Sequence, residues 1–335
     1  MSRDLTKTSR RIQRNLERIV DVTQREVMSY YAAGLNDVRA TLSRLYESYN
    51  VTGEMTRAQL TQFIRLSNVE SEIRRIMNPY ISQTVTQLQE SMVVSLDQSF
   101  YRHAWAVDQA AGTRLNWGML EDRQVRAAVG LVNDSKALAG FMTAAEVERH
   151  AKLINDALIN YQGDARKWLT RELTQGIIQG KSVSQVARQI KDVSIGKSIR
   201  SAMTIARTET LRAIGIGSRM AYESAEDLGV KIKYIWDATL DDRVRPDHAA
   251  LDGQEREGDY FQVPGIGPVR GPRESGVAEF DINCRCDVRA EVEGYAPSLR
   301  RVRDEGIVPY ESAKSWIERH GVTANRYGQK YKFLD

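Results

Sequence analysis

From Leu5 to about Gly229, apolar residues recur along the chain at intervals of three and four. The first such series consists of Ile12, Leu16, Ile19, Thr23, Val27, Tyr30, Leu35, Val38, Leu42, Leu45 and Tyr49. This spacing places the apolar side chains on one face of an α-helix, with polar residues on the others. Because only Gly34 interrupts the series, we predict a long helix or a helical hairpin that packs against another helix or another subunit.

Turn signals divide the rest of this helical region. Asn50–Gly53 is expected to form a turn, and Pro79 is expected to end a helix because proline disfavours helix in the residue before it. Asp164 and Ser182 are suited to cap helix N-termini, and Gly180 between them predicts a tight turn. We therefore predict further helices at about 80–110, 121–134, 143–161, 164–177 and 197–228.

The pattern changes after Gly229. Val230–Trp236 alternates and is rich in β-branched and aromatic residues, which predicts a strand, and Asn283–Val292 predicts a returning strand. Residues 237–283 contain four of the seven prolines, which indicates a long irregular segment. The predicted fold class is thus a mainly α N-terminal region followed by a small α+β domain with a long Gly/Pro-rich loop. The predicted divisions are a helical assembly region at 1–160, a second domain at 161–293, and a tail at 294–335 with a short helix near 311–319.

The net charge of +4 is too small to identify a nucleic-acid-binding protein. Residues 161–220 nevertheless hold eleven Lys and Arg against four Asp and Glu. The candidate contacts to DNA or to an acidic protein surface are Lys181, Arg188, Lys191, Lys197 and Arg200. The alternative is a solvated helix face. Since the sequence has neither an apolar run of 18 residues nor a signal peptide, we expect synthesis in the cytoplasm and no membrane partner.

The only two cysteines, Cys284 and Cys286, are separated by one residue. On an extended strand this spacing is at the upper limit for a disulfide, so we expect reduced thiols or a metal site. Together with His248 they offer two sulfur ligands and one imidazole, a set that suits Zn²⁺. The fourth ligand of such a site would be Asp247, Asp252, Asp281 or a water molecule.

Two alternatives to a structural metal site stay open. His248 and the cysteines can simply be packed, reduced residues. They can also form the centre of a metal-dependent nuclease or hydrolase, in which His248 transfers protons beside Arg243 and Arg245. The common phosphate-loop, dinucleotide, zinc-protease and serine-hydrolase motifs are all missing from the sequence.

Several segments occur in a distinctive order: residues 176–190 (GIIQGKSVSQVARQI), 205–213 (IARTETLRA), 236–238, 242–253 and 283–286. In this order they resemble the phage Mu F-like and SPP1-type minor head (head morphogenesis) protein family, over about residues 165–290. The positions that match the family pattern, to which we assign structural roles, are Arg207, Glu209, Trp236, Asp242, Arg243, Gly253 and Asn283. Many members carry a CxxC pair where this chain has Arg245 and His248. This departure leaves His248, Cys284 and Cys286 as the candidate ligands.

The resemblance implies a minor capsid protein of a tailed phage. Such a protein is made in the host cytoplasm and enters the procapsid with the portal, scaffold and major capsid proteins. It then resides in the head interior of the virion and contacts or accompanies double-stranded DNA during ejection. Some members carry a toxin enzyme after this domain, but the segment after Cys286 is too short for one. No catalytic residue is implied, and we expect a protein that is not an enzyme.

Overall fold

The structure is a computed structural model that describes residues 5–48, 69–179, 185, 188–189, 192–193, 196–292, 299–302 and 305–331. Its helices are α1 (Leu5–Ser48), α2 (Val69–Ala111), α3 (Asp122–Ala128), α4 (Ala144–Ile178), α5 (Gly196–Asp227), α6 (Pro246–Ala250), α7 (Ala278–Asp281) and α8 (Ala313–His320). Its strands are β1 (Ile232–Asp237), β2 (Phe261–Val263), β3 (Gly267–Val269), β4 (Asp287–Val292), β5 (Leu299–Val302) and β6 (Gly306–Pro309). Long helices precede short strands, so the predicted fold class is confirmed.

The first apolar series forms one continuous helix of 44 residues, α1, rather than a hairpin. Val27 and Val38 on this series are fully buried, whereas Arg25 and Arg39 are exposed. The amphipathic pattern therefore persists along the helix, as its spacing predicts.

The helix end predicted at Pro79 is wrong, because Pro79 lies inside α2. Packing against α1 supports the helix at this point. The hydroxyl of Tyr80 donates a hydrogen bond to Asp37, and a side chain on Gly34 would collide with the Tyr80 ring at 2.8 Å. Contacts that are distant in sequence thus outweigh the local preference of the residue before proline.

Two other predicted boundaries also differ from the structure. Asp164 lies inside α4 and begins no new helix, because the buried face continues through Tyr161 and Ala165. The helix predicted to reach residue 134 ends at Ala128, and Gly130 turns the chain with φ +77°. The turns predicted at Asn50–Gly53 and Gly180 lie outside the described residues.

The chain groups into two compact units, each made of separate stretches. Unit 1 comprises Met1–Ile19, Met92–Ala151 and Thr208–Asp335, and unit 2 comprises Val20–Ser91 and Lys152–Arg207. The domain boundaries predicted after residues 160 and 293 divide the chain into consecutive segments, and they stay predictions.

Unit 2 contains parts of α1, α2, α4 and α5. In its interior the hydroxyl groups of Tyr31 and Tyr161 form a hydrogen bond with each other, and both side chains are buried. Burial raises the pKa of Tyr31 to about 12, so this hydroxyl remains neutral near pH 7.

Unit 1 contains all the strands found among the described residues. β1 pairs antiparallel with β4, with Trp236 opposite Val288, while β2 pairs with β3 and β5 with β6. Trp236 is fully buried in the apolar core, which also contains Leu240, Phe261 and Phe280. The helices of this unit pack closely, since Ser99 of α2 donates a 2.7 Å hydrogen bond to the carbonyl of Ile214 in α5.

No helix within the described ranges combines the length and the apolar character that a membrane crossing requires.

Candidate metal centre

His248 lies on α6, a short helix with Pro246 at its first position. Proline fits there because the first N–H of a helix has no partner within the helix. The guanidinium group of Arg245, just before α6, donates hydrogen bonds to the carbonyls of Glu279 and Phe280. These bonds fix α6, and therefore His248, against α7.

Cys284 and Cys286 lie in the segment between α7 and β4. Nδ1 of His248 is 3.2 Å from Sγ of Cys286 and 3.4 Å from Sγ of Cys284. The three candidate ligand atoms lie within 4.8 Å of one another, and the exposed fractions of the residues are only 2–3%. The structure therefore brings together the three residues that the sequence singles out as ligands.

The acidic residues considered as a fourth ligand have other partners. One carboxylate oxygen of Asp252 is 3.0 Å from the Arg300 guanidinium, and one of Asp281 accepts a 2.8 Å hydrogen bond from Ser275. Asp247 accepts a hydrogen bond from the backbone N–H of His248. Among the described residues, none of the three belongs to the cluster of potential ligands.

Aromatic rings enclose the cluster. The ring of Phe280 stacks on the imidazole of His248 with 4.1 Å between centroids, and Trp236 meets the same imidazole edge-on at 6.4 Å. Nε2 of His248 is buried, and no atom of the described residues forms a hydrogen bond with it. The imidazole is thus held by ring contacts on its faces and directs Nδ1 at the two sulfur atoms.

Arg273 supports the cluster from the backbone side. This buried side chain donates hydrogen bonds to the carbonyls of both Cys284 and Cys286. Arg273 has φ +70° and Asn283 has φ +58°, and they are the non-glycine residues with positive φ in the described chain. Such backbone conformations are costly for residues with a Cβ. Both of these strained residues lie next to the His248 and cysteine cluster.

The two thiols have opposite pKa shifts. Burial opposes ionisation of Cys284, but hydrogen bonds with Cys286 and His248 and the charge of Arg273 lower its pKa well below the ordinary value. The hydrogen bond with Cys284 and burial raise the pKa of Cys286 well above it. Of the two thiols, Cys284 is therefore the one that ionises first.

Burial also bears on the nuclease or hydrolase alternative. A hydrolase must present its metal or general base to a substrate. Because His248 and both cysteines are at most 3% exposed, this geometry does not favour the alternative.

The other family-pattern residues lie in different environments. Trp236 and Glu209 are buried, and Glu209 pairs with Arg212. Gly253 has φ +84° and donates its N–H to the carbonyl of Trp236, a conformation that suits glycine. The backbone N–H of Asn283 donates to Thr208. The exposed members are Arg207, Asp242 and Arg243.

The candidate DNA or portal contacts are described only in part. Arg188 and Arg200 are exposed, and Lys197 is half-buried. Lys181 and Lys191 lie outside the described residues.

Sequence reasoning missed the arginines that organise this region. Arg300 is 6% exposed and reaches Asp252, Asp237 and the carbonyl of Ala238, while Arg273 supports both cysteines. An arginine within a Gly/Pro-rich segment, such as Gly271-Pro272-Arg273, is a weak signal for such a role. Its partners are not apparent without the fold.

Comparison with known proteins gives a family for part of the chain. Residues 167–289 match the family described as Phage Mu protein F like protein. The chain is 24% identical to the minor head protein GP7 of Bacillus phage SPP1, over 86% of this chain and 88% of that protein. It is also 34% identical to an uncharacterized protein of Haemophilus influenzae, over 33% of this chain and 22% of that protein. No solved structure matches significantly.

A further relative corrects one prediction. The chain is 26% identical to a protein of Enterococcus faecalis named NAD(+)--arginine ADP-ribosyltransferase EFV, over 88% of this chain. It spans only 56% of the length of that relative. Because this relative is named as an enzyme, the prediction that the chain is not an enzyme is contradicted and does not stand.

The match over residues 167–289 agrees with the resemblance predicted from the order of the sequence segments, which is thereby confirmed. Over these residues, the chain is similar to the Phage Mu protein F like family.

Proposed function

We propose that this chain is a minor head protein of a tailed phage, which takes part in head morphogenesis and remains in the virion. The observation that carries the proposal is the similarity to GP7, a minor head protein, over 86% of this chain and 88% of that protein. Since this similarity includes the helical N-terminal region as well as the family domain, both regions are assigned to the same role.

The proposed partners are the portal protein and either the scaffold or the major capsid protein. Assembly contacts of this kind suit long helices, because a helix such as α1 presents a rigid surface over 44 residues. The proposed location is the interior of the phage head, where the protein meets packaged DNA.

Co-assembly tests this role. The chain is produced with the portal, scaffold and major capsid proteins of the same genome, and procapsids are isolated by sedimentation. We expect the chain to sediment with complete procapsids and to be lost when the portal protein is omitted. Absence of the chain from complete procapsids would contradict the proposed role, and its retention without the portal would contradict the proposed portal contact.

A basic stripe on α5, defined here as Lys197, Arg200 and Arg207, supports contact with DNA. These residues lie three and seven positions apart, so they share one helix face, and both arginines are exposed. Phosphate contacts made by exposed Lys and Arg depend strongly on salt. We propose that this stripe neutralises phosphates of the packaged duplex.

Salt-dependent DNA binding tests the stripe. Reversing both charges with Arg200→Glu and Arg207→Glu should weaken binding to duplex DNA. It should also reduce the slope of log affinity against log salt by about 2, because two phosphate contacts are lost. The matched control is Arg18→Glu with Arg25→Glu, two exposed arginines at the same seven-residue spacing on α1. Equal effects of the two pairs would contradict a specific role for the stripe.

A further inference from the structure

The donor atoms of His248, Cys284 and Cys286 are spaced like three ligands of one tetrahedral metal ion. Zn–S bonds of about 2.3 Å and Zn–N bonds of about 2.0–2.1 Å at tetrahedral angles place nitrogen and sulfur about 3.6 Å apart. The observed separations from Nδ1 are 3.2 and 3.4 Å. Binding of an ion therefore requires Nδ1 and each sulfur atom to move apart by only a few tenths of an ångström.

The surroundings fix these atoms without competing for an ion. Phe280 and Trp236 hold the imidazole through ring contacts, and Arg273 holds the two cysteine carbonyls. Preorganised ligands of this kind lower the cost of binding, because little ordering remains to be done. The positive φ of Arg273 adds a strained backbone, which occurs preferentially at ligand-binding sites.

We propose that His248, Cys284 and Cys286 bind one Zn²⁺ ion through Nδ1 and the two sulfur atoms. Two thiolates and a neutral imidazole balance the charge of the ion, so the ion and these three ligands together carry no net charge. Among the described residues no other His, Cys, Asp or Glu joins this cluster. A water molecule, which is small enough for so buried a site, would serve as the fourth ligand.

The bound ion has a structural role. It joins α6 to the segment before β4, two parts of the chain separated by 38 residues. Between them lie only the short strands β2 and β3, of three residues each, and the four-residue helix α7. Cross-linking its two ends restricts the unfolded chain and thereby stabilises the fold. This role holds whether or not the chain enters a phage head.

Metal analysis of the full chain tests the proposal. Protein produced with zinc in the medium and purified by gel filtration should contain about one zinc per chain, as a single site requires. Cys284→Ala and Cys286→Ala should each reduce the zinc content at least tenfold. His248→Cys should retain it, because a thiolate can replace the imidazole. The matched control Phe280→Leu removes a ring contact but no ligand atom, and should also retain zinc.

A second measurement does not depend on variants that fold. Wild-type protein stripped with a chelator is titrated with Co²⁺, which should produce thiolate-to-cobalt charge-transfer absorption, and with Zn²⁺, which should raise its melting temperature. The proposal is overturned if folded wild-type protein contains less than a tenth of an equivalent of zinc and neither ion has its effect. Equal zinc content in wild type and in both cysteine variants would also overturn it.

Discussion

Unit 2 and the strand-containing part of unit 1 satisfy their backbone carbonyls in different ways. In unit 2, Thr84 donates to the carbonyl of Tyr80, four residues earlier in the same helix. In unit 1, Arg300 donates to the carbonyls of Ala238 and Glu311, the former 62 residues away in sequence. Helical carbonyls have partners one turn away, whereas buried carbonyls of irregular chain need donors from elsewhere. Buried arginines supply those donors in unit 1.

These arginines require carboxylate partners, and unit 1 supplies them. Arg219 lies 2.8 Å from Glu274, and Arg270 lies 2.8 Å from Glu146, with all four residues buried. A buried charge without its partner is very costly, so removal of one member should affect stability far more than removal of an exposed charge. The comparison teaches that irregular structure is maintained here by long-range ionic contacts.

The largest expected effect comes from breaking this network. Arg300→Ala removes the bonds to Asp252 and to the carbonyl of Ala238, and leaves a buried carboxylate unpaired. We expect a loss of about 3–5 kcal/mol in the free energy of unfolding, measured by urea denaturation. The control Arg319→Ala removes a guanidinium that is 48% exposed and should cost less than about 1 kcal/mol. Similar losses in the two variants would refute the proposed importance of the buried arginines.

The next effect depends on pH. His150 is buried, and Nε2 lies 3.8 Å from Glu274. Burial lowers the pKa of His150 to about 4; the nearby Glu274 opposes this shift, and the charges of Arg212 and Arg219 add to it. The folded state thus disfavours the protonated imidazole. The buried neutral imidazole therefore makes its full contribution to the free energy of unfolding above the unfolded-state pKa of about 6.5. This contribution is lost as the pH falls towards 4.

Urea denaturation between pH 4 and 7.5 measures this contribution. From the shift, wild type should lose on the order of 3 kcal/mol through this histidine as the pH falls over that window. His150→Gln cannot be protonated and should lack this part of the pH dependence. Parallel stability profiles for the two proteins would show that His150 does not titrate in this way.

The smallest expected effects test the packing of helices within each unit, at one glycine of unit 1 and one glycine of unit 2. A methyl group on Gly217 would lie 2.4 Å from the carbonyl oxygen of Leu96, so Gly217→Ala should cost about 1–3 kcal/mol. The helical residue Gly163 has no neighbour within 4 Å of such a methyl group. Gly163→Ala should therefore stabilise the protein by about 0.5–1 kcal/mol. Melting curves of both variants measure the difference, and stabilisation by both would contradict the close approach at Gly217.

The helices were predictable where a long apolar series carried the signal. The spacing of Ile12, Val27 and Val38 predicts α1 over nearly its whole length, and the predicted helix at 197–228 corresponds to α5 at Gly196–Asp227. Prediction failed at Pro79 and Asp164, where local preferences for a break compete with tertiary packing. Local signals are weak compared with the burial of a continuous apolar face.

The candidate metal centre was predictable only in its residue types. Cysteines one residue apart and a histidine in a polar cluster indicate soft ligands, whatever the fold. Their approach to within 4.8 Å depends on Arg245, which holds α6 against α7, and on the stacking of Phe280. These contacts join residues up to 35 positions apart, and no spacing along the sequence specifies them.

By itself, the sequence determined the succession of amphipathic helices, the change to strands after Gly229, and the resemblance of residues 167–289 to the Phage Mu protein F like family. These properties follow from periodicity and from the order of short segments, which are local. Only the tertiary structure decided that helices continue through Pro79 and Asp164, and that arginines such as Arg273 and Arg300 hold the irregular chain. The physical reason is that burial and long-range hydrogen bonding depend on which segments meet in space.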